Sequence, residues 1–245
     1  MTKPIDAYPN FPNQVGRTRE ESVPHWPPEK AAQCGSPNIV VLYLDDMGYS
    51  DIGCFGSEIE TPHIDALAQR GVRFNHYTTH PMCSPARAAL LTGRNAHAVG
   101  TGWLASNNPG FPGYSGDIPL AAPTMAETFR AAGYATFCVG KWHNATNRAE
   151  PNDSWPSQRG FEQFYGCIDG EINYFAPARL LYNNMTAPID QYPDRYYTTD
   201  DWTDKSMQLL RELRHERPDK PFLLYLAYNA PHSPLQAKRT SHRRQ

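Results

Sequence analysis

The chain lacks the segments that would attach it to a membrane or to a nucleic acid. In its 245 residues no run approaches the roughly 20 consecutive apolar side chains of a membrane-spanning helix. The N-terminus, MTKPIDAYPNFPNQVGRTREE, has no apolar core like that of a secretory signal. The formal net charge is −2, and the only basic run is the terminal AKRTSHRRQ. We therefore expect no membrane or nucleic-acid partner, and we predict a cytoplasmic protein.

Paired cysteines are also missing. The chain has five cysteines, an odd number, and they are widely spaced with no CxxC pair. This pattern predicts neither a disulfide framework nor a zinc site.

The composition is that of a globular protein, and the sequence pattern divides the chain into three parts. At 40% hydrophobic and 12% aromatic residues, the chain can bury a sizeable core. Residues 1–37 are rich in proline and have no periodicity, which predicts an irregular arm. Residues 38–237 carry the ordered pattern of a folded domain, and residues 238–245 form a basic tail.

Strand and helix signals alternate through the ordered part. The run NIVVLYL, residues 38–44, has no polar alternation, which predicts a strand buried on both faces of a parallel sheet. Further strands are predicted at VRFNHY, YATFCVG and PFLLYLAY. The alternation predicts an α/β fold with a largely parallel central sheet sandwiched between helices.

Helix boundaries are signalled by their caps. TPHIDALAQRG begins with a Thr-Pro start and ends at glycine, and TMAETFRAAG has a capping box of Thr124 and Glu127. A helix from about residue 200 to 217 should bury Met207, Leu210 and Leu213.

Unusual polar residues follow three of the predicted strands. Asp45 and Asp46 follow the first, Lys141 and His143 another, and His232 a third. In open α/β sheets ligands bind beyond the carboxyl ends of the strands, so these side chains are predicted to converge on one site. Two adjacent carboxylates suit a hard divalent cation if the chain turns there, and Gly48 is the predicted turn.

The segment PMCSPARAALLTGR, residues 81–94, places a cysteine at a helix start. With a helix beginning near Ser84, Pro85 lies in the first turn, and Cys83 and Arg87 lie on one side. Free N–H groups and the helix dipole favour an anion there. A tyrosine-phosphatase-like thiolate has a different Cys–Arg spacing. A buried structural cysteine would explain neither Pro85 nor Arg87.

These segments together resemble the type I sulfatase family, part of the alkaline phosphatase superfamily. PMCSPARAALLTG resembles the family's C-x-P-x-R signature, and GYATFCVGKWH its second signature. PNIVVLYLDDMGYSDIG and YNAPHSP resemble its metal-binding and active-site segments. The resemblance extends from about residue 37 to 237. It implies that residues 38–237 are the N-terminal portion of the catalytic domain of a sulfuric ester hydrolase of the arylsulfatase type, which acts on a small aryl or alkyl sulfate ester.

The resemblance also implies a modified nucleophile and a metal ion. Cys83 matches the cysteine that a formylglycine-generating enzyme oxidises to formylglycine, whose hydrate attacks the sulfate. Asp45 and Asp46 match ligands of one calcium ion, which the modified Cys83 also binds.

Four further residues match the charged groups of the family's active site. Arg87 matches the cation that stabilises the formylglycine oxygen, and Lys141 one that contacts the sulfate. His143 matches a histidine beside the second hydrate oxygen. His232 matches the histidine that contacts the substrate and protonates the leaving alcohol. His63, His76, His80 and His97 lack such a context and are predicted to be structural.

The C-terminal end departs from the family pattern after PHSPLQA. The family's remaining calcium ligands and a second lysine have no match, so we expect a truncated chain with weak calcium binding and little activity. Two other interpretations remain open: a phosphate or phosphonate ester hydrolase of the same superfamily, and a non-catalytic fragment.

Overall fold

The computed structural model describes residues 14–24, 30–187 and 192–238. It divides into two compact units, Met1–Lys30 and Ala31–Gln245, and every helix and strand given below lies in the second. In the first unit, the Val23 N–H donates to the Gln14 carbonyl at 2.9 Å and closes a turn. Much of the predicted arm and residues 239–245 of the tail lie outside the described residues, so the boundaries at 37 and 237 stay predictions. In the described ranges, no helix has the length and apolar character to cross a bilayer.

A six-stranded sheet forms the centre of the second unit. The strands are β1 (Ile39–Asp45), β2 (Ala135–Lys141), β3 (Gln163–Cys167), β4 (Leu181–Tyr182), β5 (Met185–Thr186) and β6 (Phe222–Pro231). Their spatial order is β1-β6-β2-β3-β4-β5, in which the first four strands run parallel and the last two join through antiparallel pairings. The predicted, largely parallel sheet is confirmed.

Helices cover both faces of this sheet. The helices are α1 (Pro62–Arg70), α2 (Cys83–Thr92), α3 (Met125–Ala131) and α4 (Thr198–Glu216). Leu91 of α2 and Ala126 of α3 pack in one core with Tyr225 of β6, whereas α4 packs in the other with Leu224. Neighbouring residues of a strand point to opposite faces, so β6 serves both cores and the predicted sandwich is confirmed.

The buried face of α4 differs from the predicted one. Trp202, Leu209 and Leu213 are buried against the sheet, but Met207 is 45% exposed. Trp202, Leu209 and Leu213 repeat at the helical period and form the stripe that faces the sheet. The prediction is therefore confirmed for Leu213, Leu210 is partly buried, and the prediction for Met207 was wrong.

Strand β1 lies at the edge of the sheet and is not buried on both faces, so that prediction was wrong. Val40 and Leu42 are 54% and 49% exposed, because within the described ranges no element covers their face of the strand. The predicted strand VRFNHY is also wrong: residues 72–77 form no strand, and Val72 and Phe74 are 80% and 70% exposed. A strand is stabilised by hydrogen bonds to a neighbouring strand, and residues 72–77 pair with no strand in the described structure.

An exposed apolar edge strand promotes self-association, and charged substitutions should reduce it. We expect the double variant Val40→Lys/Leu42→Lys to lower the fraction of oligomer measured by size-exclusion chromatography with light scattering. Leu120→Lys is the control, because Leu120 is 65% exposed but lies outside the sheet. An unchanged oligomer fraction in the double variant, or an equal fall in the control, would contradict the role of β1.

Candidate active site

Helix α2 begins at Cys83, one residue before the predicted start. Met82 is its N-cap, and Pro85 lies in the first turn, where a missing N–H breaks no helical hydrogen bond. The helix ends at Gly93, whose φ of 65° is left-handed and whose N–H donates to the Ala89 carbonyl at 2.8 Å. Cys83 thus lies at the helix N-terminus, as the sequence predicted.

The carboxyl ends of the parallel strands bring the predicted polar residues together. Asp45 and Lys141 are the last residues of β1 and β2, and His232 directly follows β6. Asp45 is in register with Pro231, so the end of β1 lies beside the residue before His232. This arrangement follows from parallel pairing, which places equivalent ends at one edge.

Asp45 is the centre of a buried group of charges. Its Oδ2 accepts an ion-paired hydrogen bond from the Lys141 ammonium and lies 3.2 Å from Nη2 of Arg87. The side chains of Lys141 and Arg87 have no exposed surface, and that of Asp45 has 4%. One carboxylate therefore compensates two buried cations and leaves an excess of positive charge at this point.

Two tyrosines complete the surroundings of Arg87, and neither was singled out in the sequence. Nη1 of Arg87 lies 3.3 Å from the Tyr225 hydroxyl and donates to the Lys141 carbonyl at 2.7 Å. The guanidinium also lies 4.7 Å from the ring centroid of Tyr43. Burial raises the pKa of Tyr225, so its phenol stays neutral beside the cation.

His143 lies beside the predicted nucleophile. Its Nδ1 is 3.0 Å from Sγ of Cys83, and its backbone is left-handed with a φ of 53°. Burial, aided by the positive charges of Lys141 and Arg87, lowers the pKa of His143 to about 3. The imidazole is therefore neutral at pH 7, and its Nδ1 is placed to accept a hydrogen bond from a group at position 83.

Asp46 and His232 face each other at the more open side of the site. Asp46 Oδ2 lies 3.7 Å from Nε2 of His232, and their side chains are 61% and 19% exposed. The turn that separates Asp46 from Asp45 occurs at Asp46 itself, where φ is 63°. The turn predicted at Gly48 was wrong, since Gly48 has an extended backbone with φ −84° and ψ 162°.

A cleft of about 330 Å³ opens at the carboxyl end of β1 and the N-terminus of α2. Asp45, Asp46 and Cys83 line it, as does His80. Arg87 and Lys141 are fully buried and reach the cleft only through Asp45.

The described side chains offer part of the oxygen shell that a calcium ion would need. Calcium takes six to eight oxygen ligands, and Asp45 and Asp46 offer the carboxylate oxygens that it prefers. One oxygen of Asp45 already pairs with Lys141 and Arg87, however, and no group of three His, Cys, Asp or Glu residues able to hold an ion occurs in the described ranges. These residues alone therefore do not complete a calcium shell.

Comparisons with known proteins identify relatives over most of the chain. The sulfatase family model matches residues 37–244. An arylsulfatase of Klebsiella aerogenes is 36% identical over 218 residues, which are 84% of this chain and 45% of that protein.

Solved structures show the same relationship. The crystal structure of Ps i-CgsB in complex with k-i-k-neocarrahexaose is 32% identical, with a TM-score of 0.71 over 83% of this chain and 47% of that chain. A structure in complex with its substrate D-glucosamine-2-N,6-O-disulfate is 28% identical, with a TM-score of 0.61 over 80% of this chain and 35% of that chain. The chain thus spans less than half the length of these relatives. From its family-model match and its identity to the Klebsiella enzyme, the chain belongs to the sulfatase family.

Proposed function

We propose that this chain carries the nucleophile and anion-binding part of a sulfuric ester hydrolase, with Cys83 converted to formylglycine. The observation that carries the proposal is the 3.0 Å contact of Cys83 with a neutral His143 at the N-terminus of α2. A helix N-terminus next to two buried cations favours an anionic group at position 83. Formylglycine supplies, as its hydrate, an oxygen nucleophile with a second hydroxyl through which sulfate can be released.

The roles of the other residues follow from their positions. Arg87 and Lys141 provide fixed positive charge, which lowers the energy of a transition state in which charge builds on the sulfate and attacking oxygens. His143 accepts a proton from the hydroxyl at position 83 that does not attack. His232, the more exposed histidine, donates a proton to the leaving alcohol oxygen.

Calcium belongs to the proposal as the ion that Asp45, Asp46 and the modified Cys83 would bind. The described residues supply only part of its shell, so we assign no reaction step to it. Further oxygen ligands are needed before calcium is bound tightly.

The proposed substrate is a small aryl or alkyl sulfate ester. The relative solved with D-glucosamine-2-N,6-O-disulfate supports an alkyl sulfate borne by a sugar as one case. The proposed partner is a formylglycine-generating enzyme, for which the CSPAR segment provides the sequence motif. The cytoplasmic location stays a prediction from the sequence.

Mass spectrometry of the peptide spanning residues 74–87 tests the modification directly. Conversion replaces the SH group and one hydrogen of Cys83 by oxygen, so we expect a loss of about 18 Da when the chain is produced with a formylglycine-generating enzyme. Production without that enzyme is the first control, and Cys83→Ala is the second. An unmodified thiol in the co-produced protein would refute the proposed nucleophile.

A further inference from the structure

Gly170 lies against the imidazole of His143 and leaves no room for a side chain. It belongs to the loop that leaves the carboxyl end of β3. A Cβ atom at this position would lie 2.3 Å from Cε1, 2.5 Å from Nε2 and 2.8 Å from Nδ1 of His143. Carbon atoms do not pack this closely, so a larger residue would have to displace the ring or the loop.

The backbone of Gly170 does not itself require glycine. Its φ lies outside the left-handed range, so alanine could adopt the same conformation without strain. The space taken by the His143 ring is therefore the physical reason for glycine at this position.

His143 cannot easily give way. His143 is only 7% exposed, and hydrogen bonds fix its backbone at both the N–H and the carbonyl. Its N–H donates to the Ile168 carbonyl at 3.2 Å, in the same loop as Gly170, and its carbonyl accepts a hydrogen bond from Ser84 Oγ at 2.7 Å. Ser84 Oγ also accepts from the Ala105 N–H at 3.1 Å, which fixes the hydroxyl.

We propose that Gly170 is a positioning residue for His143, because it provides the space that lets Nδ1 lie 3.0 Å from the reactive atom of residue 83. Its importance for catalysis rests on the proposed function, in which His143 accepts a proton from position 83. Gly170 positions His143 in the unmodified chain as well, since Nδ1 lies 3.0 Å from Sγ with cysteine at position 83.

A double-mutant cycle tests the contact. We expect Gly170→Ala to lower the thermal unfolding midpoint by about 4 °C, the size typical of overpacking in a domain of this length. In a His143→Ala background, which removes the ring, Gly170→Ala should cause no further loss. If Gly170→Ala alone does not fold, the double variant should still fold as well as His143→Ala. An equal loss in both backgrounds would overturn the proposal.

The position of the ring gives a second measurement. In protein with ¹⁵N-labelled histidine, the His143 ring signals are assigned by their absence from His143→Ala. We expect Gly170→Ala to shift them and Glu171→Ala to leave them unchanged, because Glu171 is the exposed neighbour of Gly170. Unshifted signals in Gly170→Ala would overturn the proposal. Neither measurement needs turnover, so a failed modification of Cys83 and a failed role of Gly170 are distinguishable.

Discussion

Replacing Asp45 with alanine is expected to destabilise the fold by about 3–5 kcal/mol, the typical cost of leaving buried charges without their partner. Asp45 is the ion-pair partner of Lys141 and Arg87, whose side chains have no exposed surface. Without the carboxylate, two cations would remain buried close together, where they repel each other and cannot be hydrated. Urea unfolding, followed by circular dichroism, measures the change.

Asp46→Ala is the matched control for this experiment. It removes the neighbouring carboxylate, but the Asp46 side chain is 61% exposed and lies 3.7 Å from His232, so we expect a change of about 1 kcal/mol or less. Asp45→Ala/Lys141→Met should be less destabilised than Asp45→Ala, because one of the two unpaired cations is removed. A loss in Asp45→Ala no larger than that in Asp46→Ala would show that the buried charges are compensated in another way.

Features determined by neighbouring residues were predictable from the sequence. The capping box of Thr124 and Glu127 forms as expected, with the Glu127 N–H donating to Thr124 Oγ1 at 3.2 Å. The positions of Asp45 and Lys141 at strand ends were equally predictable, because parallel strands direct their carboxyl ends to one edge whatever connects them.

Features determined by distant residues were not predictable. Whether β1 is buried depends on what lies beside it, and its apolar run is compatible with a central strand or with an edge strand. Arg87 meets Tyr225 across 138 positions of sequence, and no local pattern indicates that contact. Gly170 likewise follows a strand like many loop glycines, and only the folded chain brings it against His143.

Replacing His232 with alanine is expected to slow hydrolysis of an alkyl sulfate by about 10²- to 10⁴-fold, the usual contribution of a general acid. An alkoxide is a poor leaving group and needs a proton as the bond to sulfur breaks. Nitrophenolate is stable without that proton, so 4-nitrophenyl sulfate should be slowed by about tenfold or less. The fold should tolerate the change, because the His232 side chain is partly exposed and its pairing with Asp46 at 3.7 Å is long.

Single-turnover assays on protein with modified Cys83 measure this effect, since they detect even slow alcohol release. The comparison of the two esters distinguishes proton donation from a general weakening of the site. His80→Ala is the control, because His80 lines the cleft together with Cys83 but does not follow a strand end, and both substrates should react as in the unaltered protein. An equal slowing of both sulfate esters in His232→Ala would place His232 in substrate binding rather than proton donation. A selective loss on the alkyl ester requires that His232 supplies the proton to the leaving oxygen, because the lowered pKa of the buried His143 makes that imidazole unsuitable as a donor at neutral pH.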